Sequence, residues 1–290
     1  MYRSSAGAGC GPASGYHLRA AIAVFAAVFA IVAAGPAQAV DEIQVYNAEI
    51  AKVGQWTMQQ HFNYAINGLK DPDFPGAIIR HHALNGTPEL AYGVTDWWEL
   101  GFYMPYAVDQ NGQFWSDGAK LRTLFVSPDA EKRSFFYGVN FEFSYSTPKF
   151  SETKWNAEVR PILGWRKDGW AFIINPIIDL GFGAAGDVEF EPAARLEKKF
   201  NDNFTLAAEY YTALGPIGAF PTFNQQEHNI YGVVDFKVGK VDVDFGVGYG
   251  LTPASDRWMT KMILSVDLNE GSEAKAASAR ASRVRMAPSR

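Results

Sequence analysis

Residues Ser134–Thr147 read SFFYGVNFEFSYST. In an extended chain Phe135, Tyr137, Val139, Phe141, Phe143 and Tyr145 share one face, and Gly138, Asn140, Glu142 and Ser144 share the other. Lys154–Lys167 (KWNAEVRPILGWRK) repeats the pattern, with Trp155, Ala157, Val159, Pro161, Leu163 and Trp165 set against Asn156, Glu158, Arg160 and Arg166. Val241–Leu251 does so again, its Val, Phe, Tyr and Leu alternating with Asp242, Asp244 and three glycines. Strands that are fully apolar on one face and ionised on the other need two different solvents.

The same period of two extends over most of the chain and predicts strands near 53–66, 79–94, 97–106, 119–127, 134–146, 154–167, 170–181, 188–200, 204–213, 227–238, 241–251 and 257–268. Twelve is an even number, as a closed barrel with both ends on one side requires, and about ten tilted residues cross the roughly 25 Å apolar band of such barrels. Connections at Thr95-Asp96, Lys167-Asp168-Gly169, Asn201-Asp202-Asn203 and Gly239-Lys240 are tight, with Pro128–Arg133 somewhat longer. Between them fall mostly longer ones: Asn67–Ile78, Ala107–Gly118, Thr147–Thr153, Phe182–Asp187, Leu214–Gln226 and Thr252–Asp256. Aromatics of the apolar parity flank both kinds of connection, among them Trp98, Phe135, Trp165 and Trp170 at the tight turns and Tyr145, Trp155, Tyr249 and Trp258 at the opposite ends. The expected fold is an all-β, closed antiparallel transmembrane barrel of about twelve strands over residues 40–268. Pro105, Pro161, Pro176 and Pro192 fall inside these strands, where each removes a ladder hydrogen bond, so bulges or breaks are expected there.

Residues 1–39 read as a cleaved secretory signal. Arg3 and Arg19 precede an apolar run from Ala20 to Ala34, and Ala37-Gln38-Ala39 offers a small-x-small cleavage site. Cys10, the sole cysteine, leaves with that segment, so the mature chain offers no disulfide and no thiolate. Residues 269–290 have almost no large apolar side chain and read as a disordered basic tail. Subtracting the +2 of residues 1–39 and the +3 of residues 269–290 from the net −5 leaves −10 on the body. So acidic a body excludes nucleic acid as a partner.

Function should be written on the inward parity. The pore-lining candidates are Lys120, Arg122, Glu142, Glu158, Arg160, Arg166, Asn175, Asp179, Glu189, Glu191 and Arg195. Pairing Trp165 with Trp170 sets Arg160 opposite Asn175, and a hairpin centred near Phe150 sets Arg160 diagonal to Glu142. That cluster is the expected constriction or plug, and its mixed signs argue against strong ion selectivity. No catalytic or metal-binding spacing is visible and no cofactor is called for. His61, His81, His82 and His228 are scattered, a lone strand histidine reads as a polar lining residue, and His81-His82 would point to opposite faces of a strand. Gly181–Gly186 is not a phosphate cradle, because no helix follows it.

Pro88–Gly101 (PELAYGVTDWWELG) resembles a pattern of the bacterial outer-membrane family labelled for the meta-pathway of phenol degradation, and Tyr249–Asp256 (YGLTPASD) resembles a second part of it. The resemblance implies a barrel and the passage of small aromatic or hydrophobic molecules, and it supplies no catalytic residue. The reading is therefore a monomeric outer-membrane channel for small, aromatic or hydrophobic, solutes by passive diffusion, in contact with outer-membrane lipid. A structural or surface-interaction barrel with a closed lumen stays open as an alternative. So does an outer-membrane lipid hydrolase, which needs a serine and a histidine together on the outer wall.

Overall fold

The computed structural model describes residues 42–269, so the signal segment (1–39) and all of the 269–290 tail except Asn269 lie outside the described residues. Among the described residues twelve strands make the wall. They are β1 Trp56–Asn67, β2 Leu84–Gly93, β3 Trp98–Tyr103, β4 Ala119–Val126, β5 Phe135–Tyr145 and β6 Trp155–Lys167, followed by β7 Trp170–Asn175, β8 Ala193–Asn201, β9 Phe204–Ala213, β10 Glu227–Val238, β11 Val241–Gly250 and β12 Trp258–Asp267. Every strand pairs antiparallel with its sequence neighbours. Strand β1 pairs with β2 on one side and with β12 on the other, from Thr57↔Asp267 to Asn63↔Lys261, so the sheet closes without a free edge. Closure is what lipid demands, since an unpaired backbone group there costs several kcal/mol.

The wall is inside out relative to a water-soluble protein. Phe141, Phe143, Tyr145, Trp155, Leu163, Trp165 and Phe172 stand exposed on the outer face. Arg122, Glu142, Arg160, Asn175, Arg195, Glu209 and Lys261 are buried on the inner one. At the tight-turn end Phe135 meets Trp165 in a tilted contact at 5.3 Å, and at the other end Tyr145 meets Trp155 at 5.1 Å and Tyr249 meets Trp258 at 4.9 Å. These rings form belts at the two rims, the level at which amphipathic aromatics favour the headgroups.

Several expectations are corrected. The first strand starts at Trp56 and the second at Leu84, three and five residues later than the alternation suggests. His81 and His82 therefore sit in a turn, not on a strand, and His82 takes a left-handed φ of 57° that brings the two rings to 3.9 Å. Within the 107–118 connection, Tyr106–Val108 pairs with Phe114–Ser116 in a small hairpin. The β6–β7 turn closes on two residues, Asp168 and Gly169, whose φ values of 51° and 78° are those of a type I′ turn. Lys167 consequently faces Trp170 and Trp165 faces Phe172. That two-residue shift sets Arg160 opposite Ile177, not Asn175. The other hairpin behaves as read: Glu142 faces Glu158 and Asn140 faces Arg160, a register centred on Phe150.

Three of the four prolines singled out in the sequence break their strands, whereas Pro88 lies within the unbroken β2. Strand β3 stops before Pro105 and resumes at Tyr106–Val108, β7 stops before Pro176 and resumes at Ile178–Phe182, and Val188–Phe190 precedes β8 across Pro192. Pro161 lies in an unbroken β6. Arg166 N donates to Ser134 O, so the even positions of β6 bond to β5 and the odd ones, Pro161 included, face β7. Leu163 faces Ile174 and Val159 faces Ile178, which sets Pro161 against Pro176. Ala193 faces Asn175 and Phe190 faces Ile178, which sets Pro192 against Pro176 from the other side. The missing donors thus share one level of three adjacent strands, and the β5–β6 ladder is left intact.

Phe141 is at mid-height of β5 and 41% exposed. Replacing it with arginine should lower the unfolding free energy in lipid bilayers by about 2–4 kcal/mol, the range for a cation at the bilayer midplane. Urea titration of Phe141→Arg against wild type, followed by tryptophan fluorescence, reads this directly.

Candidate functional site

The lumen holds a piece of its own chain. Residues 42–55 precede β1 and run inside the wall; those up to residue 52 lie before the alternating pattern and bond to the wall through side chains, whereas Gly54 and Gln55 exchange backbone bonds with Gly93. Asn175 grips the backbone of Tyr46 twice, its Oδ1 accepting from Tyr46 N at 2.7 Å and its Nδ2 donating to Tyr46 O at 3.0 Å. A side-chain amide here copies the pairing of a strand neighbour. The Tyr46 hydroxyl lies 2.8 Å from Glu42 Oε1, 2.8 Å from the Tyr103 hydroxyl and 3.4 Å from Glu142 Oε1. Arg160 covers the Tyr46 ring at 4.5 Å and donates to Gln44 O at 3.1 Å. Lower on the segment, Ala51 N donates to Glu99 Oε2 at 2.5 Å.

Apolar contacts add to these bonds. Val45, Tyr46 and Ala48 pack into a cluster of Leu124, Val126, Phe136, Ile162 and Ile173, which project inward near the tight-turn end. Room for that cluster comes from glycine: Gly164 faces Phe136, and a Cβ on it would lie 2.0 Å from the ring. Ala48 itself holds a left-handed φ of 64°, a conformation costing a residue with a side chain roughly 1 kcal/mol. The segment splits the interior. A cavity of about 500 Å³ lies between Asn47, Glu49 and the tight-turn end, and smaller ones of about 90 and 110 Å³ lie towards the long loops.

The candidate residues fall into three groups. Around Tyr46, Arg160 makes a two-pronged pair with Glu158 (2.7 Å and 2.7 Å), Arg122 bridges Glu89 and Glu99 at 2.5 and 2.6 Å, and Lys120 lies 3.8 Å from Glu142. Alongside runs a row of carboxylates, because Glu142 faces Glu158, Glu158 faces Asp179 and Asp179 faces Glu189, with Glu191 two positions further on. Cations are mixed into one end of this row, Lys120 beside Glu142 and Arg160 on Glu158, and the row continues as acids to Asp179, Glu189 and Glu191. Arg195 centres a second network: it donates to Glu197 at 2.7 Å, Glu209 at 2.5 Å, Asp244 at 3.2 Å and also to Asp235. Lys261 joins it through Glu209 at 2.6 Å and donates to Ile43 O of the segment at 3.3 Å. Arg166 stands apart, donating to the Ala130 and Glu131 carbonyls at the tight-turn end.

The opposite end is clasped by Arg80 from the 68–83 loop. Its guanidinium lies 2.9 Å from Asp73, 2.9 Å from Glu227 and 3.7 Å from Asp256. Asp256 Oδ1 also accepts from Leu69 N at 2.7 Å. Burial raises the carboxyls of Asp73 and Asp256 above their ordinary value, and the Arg80 charge offsets only part of it.

Sequence reasoning took His61 for an isolated lining residue and missed Glu42, Tyr46, Tyr103, Glu89 and Glu99. Glu89 and Glu99 lie on the inward parity of β2 and β3 and were accessible to the same alternation argument. Glu42 and Tyr46 carry no periodic signal at all. As for a hydrolytic site, His228 Nδ1 meets the Tyr210 hydroxyl at 2.6 Å and its Nε2 meets Gln226 Oε1 at 3.1 Å, while Ser255 bonds only its backbone. Among the described residues no serine hydroxyl hydrogen-bonds a histidine ring nitrogen.

No protein-family profile matches the chain, and no curated protein is similar to it in sequence. Solved structures do match. The COG4313 outer membrane channel from Pseudomonas putida F1 superposes with a TM-score of 0.57 at 13% identity, over 78% of this chain and 100% of that one. The NanC porin gives 0.47 at 9% identity, covering 74% of this chain and 100% of that one. A mutant of the TodX monoaromatic hydrocarbon channel gives 0.40 at 7% identity, covering 75% and 90%. The fold is that of the bacterial outer-membrane β-barrels, with an outward apolar face and aromatic rims of the kind that meet lipid.

Replacing Asn175 with leucine removes both bonds to the Tyr46 backbone at nearly constant volume. Exchange of the Tyr46 amide, followed by mass spectrometry, should quicken by about tenfold or more, given about 1–3 kcal/mol for a buried backbone group left unpaired. Strand amides of β9–β11 should keep their wild-type protection.

Proposed function

We propose that the chain is a monomeric passive channel of the outer membrane for small solutes, aromatic or hydrophobic ones among them, and that residues 42–55 are its constriction. One observation carries this reading: a segment without secondary structure enters a polar lumen, and from Ile43 to Ala51 it is held there through wall side chains, with backbone bonds to β2 at Gly54 and Gln55, next to β1. Side-chain bonds exchange one at a time, whereas a ladder opens cooperatively, so such a segment can move without opening the wall. The candidates Lys120, Arg122, Glu142, Glu158, Arg160, Asn175, Asp179, Glu189, Glu191 and Arg195 then act as the lining, with Arg166 at its tight-turn mouth. The rings of Tyr46, Tyr103, Tyr211 and Tyr231 supply inward aromatic surface beside that lining. They suit the flat solutes that the likeness to the phenol-degradation family implies.

Planar-bilayer recording of the purified barrel tests the reading. Wild type should pass a small current, and deletion of residues 42–50 should raise it several-fold. Zero current from both proteins removes the channel and leaves a closed-lumen surface barrel, a reading to which the dense bonding around Tyr46 lends support. The carboxylate row from Glu142 to Glu189 further predicts cation preference. Under a salt gradient the reversal potential should have the cation sign, and Asp179→Asn combined with Glu189→Gln should move it towards zero.

A further inference from the structure

His61 on β1 projects into the lumen with 1% of its surface exposed, and neither ring nitrogen has a hydrogen-bond partner. Its Nε2 lies 3.7 Å from Glu89 Oε2. Glu89 gives its other oxygen, Oε1, to Arg122 at 2.5 Å, so Oε2 remains turned towards the imidazole. Glu42 completes a triangle in which one ligand atom from each of the three residues lies within 4.8 Å of the others. A fully buried imidazole without a partner loses about 1–3 kcal/mol relative to one that is satisfied. The surrounding network is also short of positive charge, because its carboxylates outnumber Lys120, Arg122 and Arg160, the cations that face them.

We propose that His61, Glu89 and Glu42 bind one divalent transition-metal cation of the zinc type, and that this ion fastens the start of the luminal segment to β1 and β2. The donor set is one imidazole nitrogen and two carboxylate oxygens, which suits zinc and its first-row neighbours and leaves a position for water. Bonds of roughly 2.0–2.2 Å require only that the three side chains close by about an ångström. Two ligands belong to neighbouring wall strands, at Cα positions fixed by the β1–β2 register, where His61 faces Thr87 and Gln59 faces Glu89. The third belongs to the segment. Binding therefore couples directly to the seating of residues 42–55, independently of whether the barrel conducts.

The test uses the full chain in detergent, stripped with EDTA and titrated with Co²⁺ and Zn²⁺. Wild type should bind one Co²⁺ per chain, with visible d–d absorption that Zn²⁺ displaces, and Zn²⁺ should slow amide exchange across residues 43–50. His61→Asn and Glu42→Gln should each weaken binding by at least about tenfold. Glu42→Gln lies outside every wall strand, and the heat-modifiable gel mobility of each variant confirms a folded barrel. A double His81→Asn, His82→Asn variant should bind as wild type does. Absence of saturable binding, or equal affinity in wild type and Glu42→Gln, overturns the proposal and leaves the channel reading untouched.

Discussion

Everything in this molecule depends on the closing seam between β1 and β12. Along it His61 faces Ile263 and Asn63 faces Lys261, and with β2 on the other flank β1 has no unpaired side. In hydrocarbon no water can satisfy a strand edge, so a sheet either closes or does not stay in the membrane. Once closed, the two faces of every strand meet different media for the whole of their length. The exposed Phe, Trp and Leu of the outer face and the buried Arg, Glu and Lys of the inner one are both consequences of that single condition.

Closure also creates the problem that the interior solves. A twelve-stranded wall surrounds more space than side chains projecting from it fill, and ions placed there face a poor solvent unless they find partners. Two devices answer this. Arginines act as hubs, Arg195 with four carboxylates and Arg122 with two, and the luminal segment brings its backbone and Tyr46 into the remaining gap. The acidic row from Glu142 to Glu189 is left least compensated, and it adjoins the break at Pro176. There three proline nitrogens at one level already thin the ladder.

Much of the architecture was legible because a strand's two faces differ by one residue, and lipid on one side makes that difference extreme. Strand number, the Phe150-centred hairpin and the rim aromatics all follow from parity. Register across the Asp168-Gly169 turn did not, since parity cannot tell a turn of two residues from one of four. His81 and His82 were misplaced for a related reason: a two-residue alternation persists by chance into a loop, and only the left-handed backbone at His82 reveals the turn. His61 looked like an isolated lining residue, because its neighbours Glu89 and Glu42 belong to another strand and to a stretch without periodicity.

The covalent order of side chains was enough to choose lipid as the solvent of one face, and with it a closed all-β wall of twelve strands. That choice is local and repeated in every strand, so it survives errors at any one of them. Which ions meet, how the lumen is filled and where a cation could be held arose only when the chain closed. Those contacts join residues as far apart as Tyr46 and Asn175, or Ile43 and Lys261. Their distances are set by barrel circumference and turn geometry, quantities that no short stretch of sequence contains.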